Sequence, residues 1–95
     1  MKRLTKALFI FSCFSWAACT PPETRELNQA RGRAERGEFK EALFGFDRVI
    51  KRAPESQASV AAAREGARVA IFDTKDYRKA ATYLQHVVLS SSDAN

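Results

Sequence analysis

The chain has 95 residues, 45% of them hydrophobic, with two cysteines and a formal net charge of +5. That length leaves room for one small domain, and because both cysteines (Cys13 and Cys19) fall near the N-terminus, the remainder has neither a disulfide framework nor a cysteine metal centre. Lys2, Arg3 and Lys6 supply three of the sixteen basic residues, so from Cys19 onward thirteen bases face eleven acids, too even a balance for a nucleic-acid binder.

Residues 1–18 have the order of a removable export signal: the positive Lys2, Arg3 and Lys6, an apolar run from Ala7 to Trp16, then the small residues Ala17 and Ala18. A hydrocarbon core needs roughly 20 apolar residues to be crossed, so this run is too short for a permanent span. Trp16-Ala17-Ala18-Cys19 resembles the bacterial lipobox, with Trp16 standing where such boxes usually carry an aliphatic residue. The resemblance implies cleavage before Cys19 and diacylation of its thiol, and more than one acyl chain suffices for stable anchoring. By the same resemblance, Thr20 after the cysteine implies outer-membrane sorting, facing the periplasm. Ordinary signal cleavage near the same place is the alternative, and Cys13 reads as an apolar filler of the run.

Residues 19–22 form a short tether, and residues 23–95 read as four helices. Thr20 and Glu23 have capping-box spacing, with proline suited to a first turn. Gly37, Pro54 and the Asp73-Thr74-Lys75-Asp76 cluster break the helical pattern, leaving segments from about Pro22 to Arg36, Phe39 to Arg52, Gln57 to Phe72 and Tyr77 to Leu89. Each carries apolar residues at three- and four-residue steps. These are Leu27, Ala30 and Ala34 in the first; Phe39, Ala42, Leu43, Phe46, Val49 and Ile50 in the second; Val60, Ala63, Ala67, Ala70 and Ile71 in the third; and Tyr77, Ala80, Ala81, Leu84, Val87 and Val88 in the fourth. No segment alternates as a strand would, so the predicted fold is all-α.

The second and fourth segments repeat one another. Glu38-Phe39-Lys40-Glu41-Ala42-Leu43 lies on Asp76-Tyr77-Arg78-Lys79-Ala80-Ala81, and Phe46, Val49 and Ile50 lie on Leu84, Val87 and Val88 at a constant offset of 38 residues. A period in this range marks stacked helix-turn-helix units. Gly37, Phe39, Ala42, Phe46, Val49-Ile50 and Pro54 resemble the tetratricopeptide pattern; in the second unit Lys75 replaces Gly37 and Ser92 replaces Pro54. The longer repeat resembles those of periplasmic proteins such as the Tol-Pal coordinator and the outer-membrane-assembly lipoproteins.

The resemblance covers about Thr24 to Leu89. It implies two tandem repeats, about 23–56 and 57–91, forming a short α-solenoid that binds proteins or peptides. Its ligand groove would be lined by Leu27, Arg31, Ala34 and Glu35, then by Glu65, Val69 and Phe72. Phe44 sits off the apolar stripe of its helix and reads either as packed on the preceding helix or as an exposed aromatic anchor. The repeat also lacks a helix to follow its fourth segment, leaving Val87, Val88 and Leu89 partly uncovered. Three explanations stand open: a longer natural chain, pairing with a second copy as a homo-oligomer, or a helix supplied by a partner.

Catalytic chemistry finds little support in the sequence. His86 is the single histidine and lies beside an apolar stripe without a second ligand at metal spacing. Ser90-Ser91-Ser92 reads as a helix exit, and Gly32, Gly37, Gly45 and Gly66 form no phosphate-cradling loop. Arg31, Arg33 and Arg36 alternate with Glu35, Glu38 and Glu41, as on a solvated, ion-paired face. The expectation is therefore a lipid-anchored adaptor, with no cofactor and no enzymatic activity. The rival expectation is a structural subunit that self-assembles or completes a larger solenoid.

Overall fold

The computed structural model describes residues 20–94. The export signal and Cys19 lie outside the described residues. Four helices follow one another: α1 (Pro22–Glu35), α2 (Phe39–Arg52), α3 (Gln57–Phe72) and α4 (Tyr77–Ala94). Each packs on the next, and α1 also touches α3. The result is an all-helical array of consecutive hairpins, with no strand among the described residues.

The helix ends follow local chemistry. Pro21, in extended backbone, holds the N-cap of α1 without a side-chain bond, and Pro22 occupies the first turn, where a missing N–H costs nothing. The cap is thus one residue beyond the Thr20 expected from capping-box spacing. At the other end of α1, Glu38 N–H reaches the Arg33 carbonyl (2.9 Å) and Gly37 N–H the Ala34 carbonyl (3.1 Å), with Gly37 at φ +82°. This is the Schellman arrangement, which needs a left-handed residue after the cap. Ser56 caps α3 by accepting from Ser59 N–H (3.1 Å) and donating to the Ala53 carbonyl (2.7 Å). After α3, Asp76 N–H bonds the Ala70 carbonyl (2.8 Å), and Lys75 takes the left-handed conformation at φ +58°. Lys75 and Gly37 are 38 residues apart, so the same backbone solution recurs with a different residue.

The core runs between the helices. Leu27 and Ala30 of α1, Ala42, Leu43, Phe46 and Val49 of α2, and Ala62, Ala63, Ala67 and Val69 of α3 are buried together with Tyr83 of α4. Full burial of Phe46 contributes on the order of 2–3 kcal/mol. Small residues set the spacing. A Cβ on Gly45 would fall 2.7 Å from the Ala30 Cβ, so α1 and α2 cross there nearly backbone to backbone. A Cβ on Gly66 would lie 2.9 Å from the Tyr83 ring, which occupies the space that the glycine leaves.

Two apolar stripes are placed differently from the expectation. In α3, Val60 and Ile71 are only half-buried, while Ala62, Gly66 and Val69 take the inner positions. In α4 the buried side is Ala80 and Tyr83 with Val87 packed beside them, whereas Tyr77, Ala81, Leu84 and Val88 face outward. Apolar residues lie on two sides of α4, and only the side that meets α3 has a neighbour among the described residues. Helix α4 also continues through Ala94, beyond the expected end at Leu89, because Ser90-Ser91-Ser92 contains neither glycine nor proline to stop it.

Candidate functional site

The residues expected to line a groove separate into three kinds. Leu27 and Val69 belong to the core at 5% and 6% exposure and offer no side chain to a partner. Arg31 and Glu65 engage each other: Arg31 Nε donates to both Glu65 carboxylate oxygens at 2.7 and 2.9 Å, and a terminal guanidinium nitrogen reaches Oε2 at 2.6 Å. This fork ties α1 to α3 and raises the Arg31 pKa above its ordinary value, the hydrogen bond to Glu65 outweighing the opposing effect of burial. Ala34 is half-buried, while Glu35 and Phe72 are exposed. The helices thus bring Arg31 and Glu65 together as a structural tie, and a continuous groove through all seven positions does not form.

Phe44 is exposed and off the buried stripe of α2. It walls a cleft of about 190 Å³ between α1 and α2, with Glu26, Arg33, Glu41 and Arg48 around it and the Ala30–Gly45 crossing below. Glu26 accepts from Arg52 through Oε1 at 2.9 Å, and its buried Oε2 has no hydrogen-bond partner in the protein.

The most extended apolar surface is on α4. Tyr77, Leu84, Val88 and Leu89 are 63%, 45%, 63% and 59% exposed, and Ala81 is exposed between them. Val88 and Leu89 were expected at an uncovered end; Tyr77 and Leu84 were not. Their signal was nevertheless present in the 38-residue offset, which places them on Phe39 and Phe46, residues that a following helix covers.

Behind this surface, α4 is anchored by polar bonds. Tyr83 Oη donates to Asp47 Oδ1 (2.6 Å) and lies 3.3 Å from the Leu43 carbonyl; Lys79 Nζ donates to Asp47 Oδ2 (2.7 Å). Burial, and then the bond to Asp47, push the Tyr83 phenol far above its ordinary pKa. Lower on α4, Ser59 Oγ donates to the Pro54 carbonyl (3.0 Å), leaving its lone pairs for the Nε2–H tautomer of His86 at 2.6 Å. Ser59 has 0% exposure. Its hydroxyl meets no substrate in this conformation, and the Ser59–His86 contact ties α4 to the α2–α3 turn.

No group of three or more histidine, cysteine or carboxylate side chains among the described residues is placed to hold a metal ion. No helix among them is long and apolar enough to cross a membrane. Against protein-family models, curated proteins and solved structures, the chain shows no significant match.

Proposed function

We propose that this chain is a membrane-tethered adaptor of the bacterial envelope, made of two tetratricopeptide-like repeats and held by lipid on Cys19. The observation that carries the binding part is the set of large apolar side chains on so small a protein: Phe44, Phe72, Tyr77, Leu84, Val88 and Leu89 are all exposed. Contiguous exposed apolar surface on a folded protein marks a protein contact. The repeat reading is supported by the paired hairpins, by left-handed residues at equivalent positions 37 and 75, and by buried alanines at equivalent positions 42 and 80.

Photo-crosslinking in intact cells tests the adaptor. A crosslinker at Leu84 or Phe44 should give a discrete heterologous product, and one at Lys51, on the charged outer side of α2, should not. Equal labelling at all three positions, or none at any, sinks the reading. The anchor has its own test: Cys19→Ser should release the protein from the membrane fraction or block its processing. An unmodified Cys19 in the intact mass of membrane-derived protein overturns the lipoprotein assignment.

The bare side of α4 also favours a second reading, a structural subunit that pairs with copies of itself. Light scattering across concentration separates the two: a monomer supports the adaptor, and a defined oligomer supports the subunit.

A further inference from the structure

The 38-residue offset turns the first hairpin into a template for what the second lacks. Phe39, Leu43, Phe46 and Ile50 of α2 correspond to Tyr77, Ala81, Leu84 and Val88 of α4. The first set is buried or half-buried, and α3 packs over it; Phe46 is 1% exposed where Leu84 is 45% exposed. The covering helix is made for close approach, since its buried face is Ala62, Ala63, Gly66, Ala67 and Ala70 with one larger residue, Val69. We propose that the Tyr77–Leu84–Val88 face of α4 docks a single amphipathic helix of a partner protein, one with a stripe of alanine or glycine at three- and four-residue steps. The proposal rests on the adaptor reading and specifies the partner's chemistry.

A second copy of this chain fits the face less well in either orientation. Head-to-tail stacking would bring up α1, the counterpart of α3. At the positions matching Ala62, Ala63, Gly66 and Ala67, α1 carries Thr24, Arg25, Asn28 and Gln29, so stacking would press polar and charged groups onto Leu84 and Val88 without partners. Tail-to-tail pairing would set the knobs of one α4 against those of another. The strip from Tyr77 to Val88 is about 18 Å long and roughly one helix wide, ~10 Å. Its footprint of roughly 200 Å² is far below the ~800 Å² per partner of a standard stable interface. One helix with small residues can lie in it; a stable homodimer needs more.

Charge narrows the partner further. From Tyr77 to Ser91, α4 carries Arg78 and Lys79 and no acid, and Lys79 is already held by Asp47. A docking helix with a carboxylate opposite Arg78 matches this end.

The chain's own covering helix serves as the probe. A synthetic peptide of residues 56–72, cap included, is titrated into the isotope-labelled full-length chain and followed by amide chemical shifts. Shifts should centre on Tyr77, Ala81, Leu84 and Val88. Leu84→Glu and Val88→Glu should each weaken binding by roughly tenfold or more, while Phe44→Ser leaves it unchanged; both glutamates replace exposed side chains, and circular dichroism verifies that the helices persist. Absent shifts, shifts centred elsewhere, or a concentration-dependent dimer closing over α4 in the peptide's absence overturn the proposal. A heterologous crosslink at Phe44 that persists in such a case leaves the adaptor standing, so the two failures are distinct.

Discussion

At position 46 a phenylalanine is 1% exposed; 38 residues later, at the matching position of the second hairpin, a leucine is 45% exposed. The local sequences have the same helical period and the same alanine one turn earlier, at 42 and 80, and both alanines are buried. What differs is the neighbour: α2 lies between α1 and α3, whereas α4 leans on α3 alone. An apolar stripe on a helix states that the helix can be covered. Whether it is covered is a property of the array.

The widest gap between the hairpins should appear on truncating those two side chains. Phe46→Ala opens a cavity among packed residues and should cost about 3–5 kcal/mol. Leu84→Ala removes a half-exposed side chain and should cost about 1 kcal/mol or less. Urea unfolding of each variant measures the ratio. Equal costs would mean that Leu84 is covered in solution and that α4 is not the open side.

The alanine pair should behave alike. Ala42→Leu and Ala80→Leu place three extra carbons where 0% and 3% of the residue is exposed, and each should cost about 1–3 kcal/mol. In a domain this small, each lost kcal/mol lowers the thermal midpoint by about 4–8 °C, which calorimetry resolves. Unchanged midpoints in both variants would break the equivalence of the hairpins at the seam.

Tyr83 has no counterpart in the first hairpin, since the matching position is Gly45. At one crossing a glycine lets α1 approach; at the other a tyrosine fills the gap over Gly66 and reaches Asp47 on α2. Tyr83→Phe keeps the ring and loses the hydrogen bond to a carboxylate, worth about 1.5–3 kcal/mol. The phenol's pKa is raised in the folded state, so its stabilising effect is complete below the unfolded value of about 10 and drains away as pH climbs past it. The difference between wild type and Tyr83→Phe should therefore be largest near neutrality and shrink above pH ~10. A difference that stays constant to higher pH would mean that the hydroxyl bond contributes nothing.

Much of this fold was legible in the sequence. Gly37, Pro54 and Asp73 through Asp76 interrupt the helical period, and three helix starts and two ends fall where those breaks place them. The direction of α4 was harder to read. Its apolar residues occupy two sides, and Tyr83, the one that is buried deepest, belongs to neither the repeat pattern nor the expected stripe. The candidate groove was carried over from a resemblance, and the array moved Leu27 and Val69 into the core. The fork between Arg31 and Glu65 spans 34 residues, a distance over which periodicity carries no information. The apolar face of α4 was half visible, in Val88 and Leu89, because the repeat offset marks which side a following helix would cover.

The smallest effects expected come from the inter-helix turns, where the hairpins use one backbone conformation with two different residues. Gly37 at φ +82° pays no steric penalty in the left-handed region; Lys75 at φ +58° does, because its Cβ crowds the following carbonyl. Gly37→Ala should destabilise by about 1 kcal/mol. No heavy atom lies within 4 Å of a Cβ built there, so the loss is one of backbone conformation, without a packing clash. Lys75→Gly should act in the opposite sense, relieving about 1–2 kcal/mol of strain against the extra chain entropy of glycine in the unfolded state, about 0.5–1 kcal/mol. The net gain is a few tenths to about 1 kcal/mol. Paired denaturation curves check both, and the opposed signs are what matter: two losses would mean that Lys75 earns its place through its side chain, and two null results would mean that the left-handed turn is not shared between the hairpins.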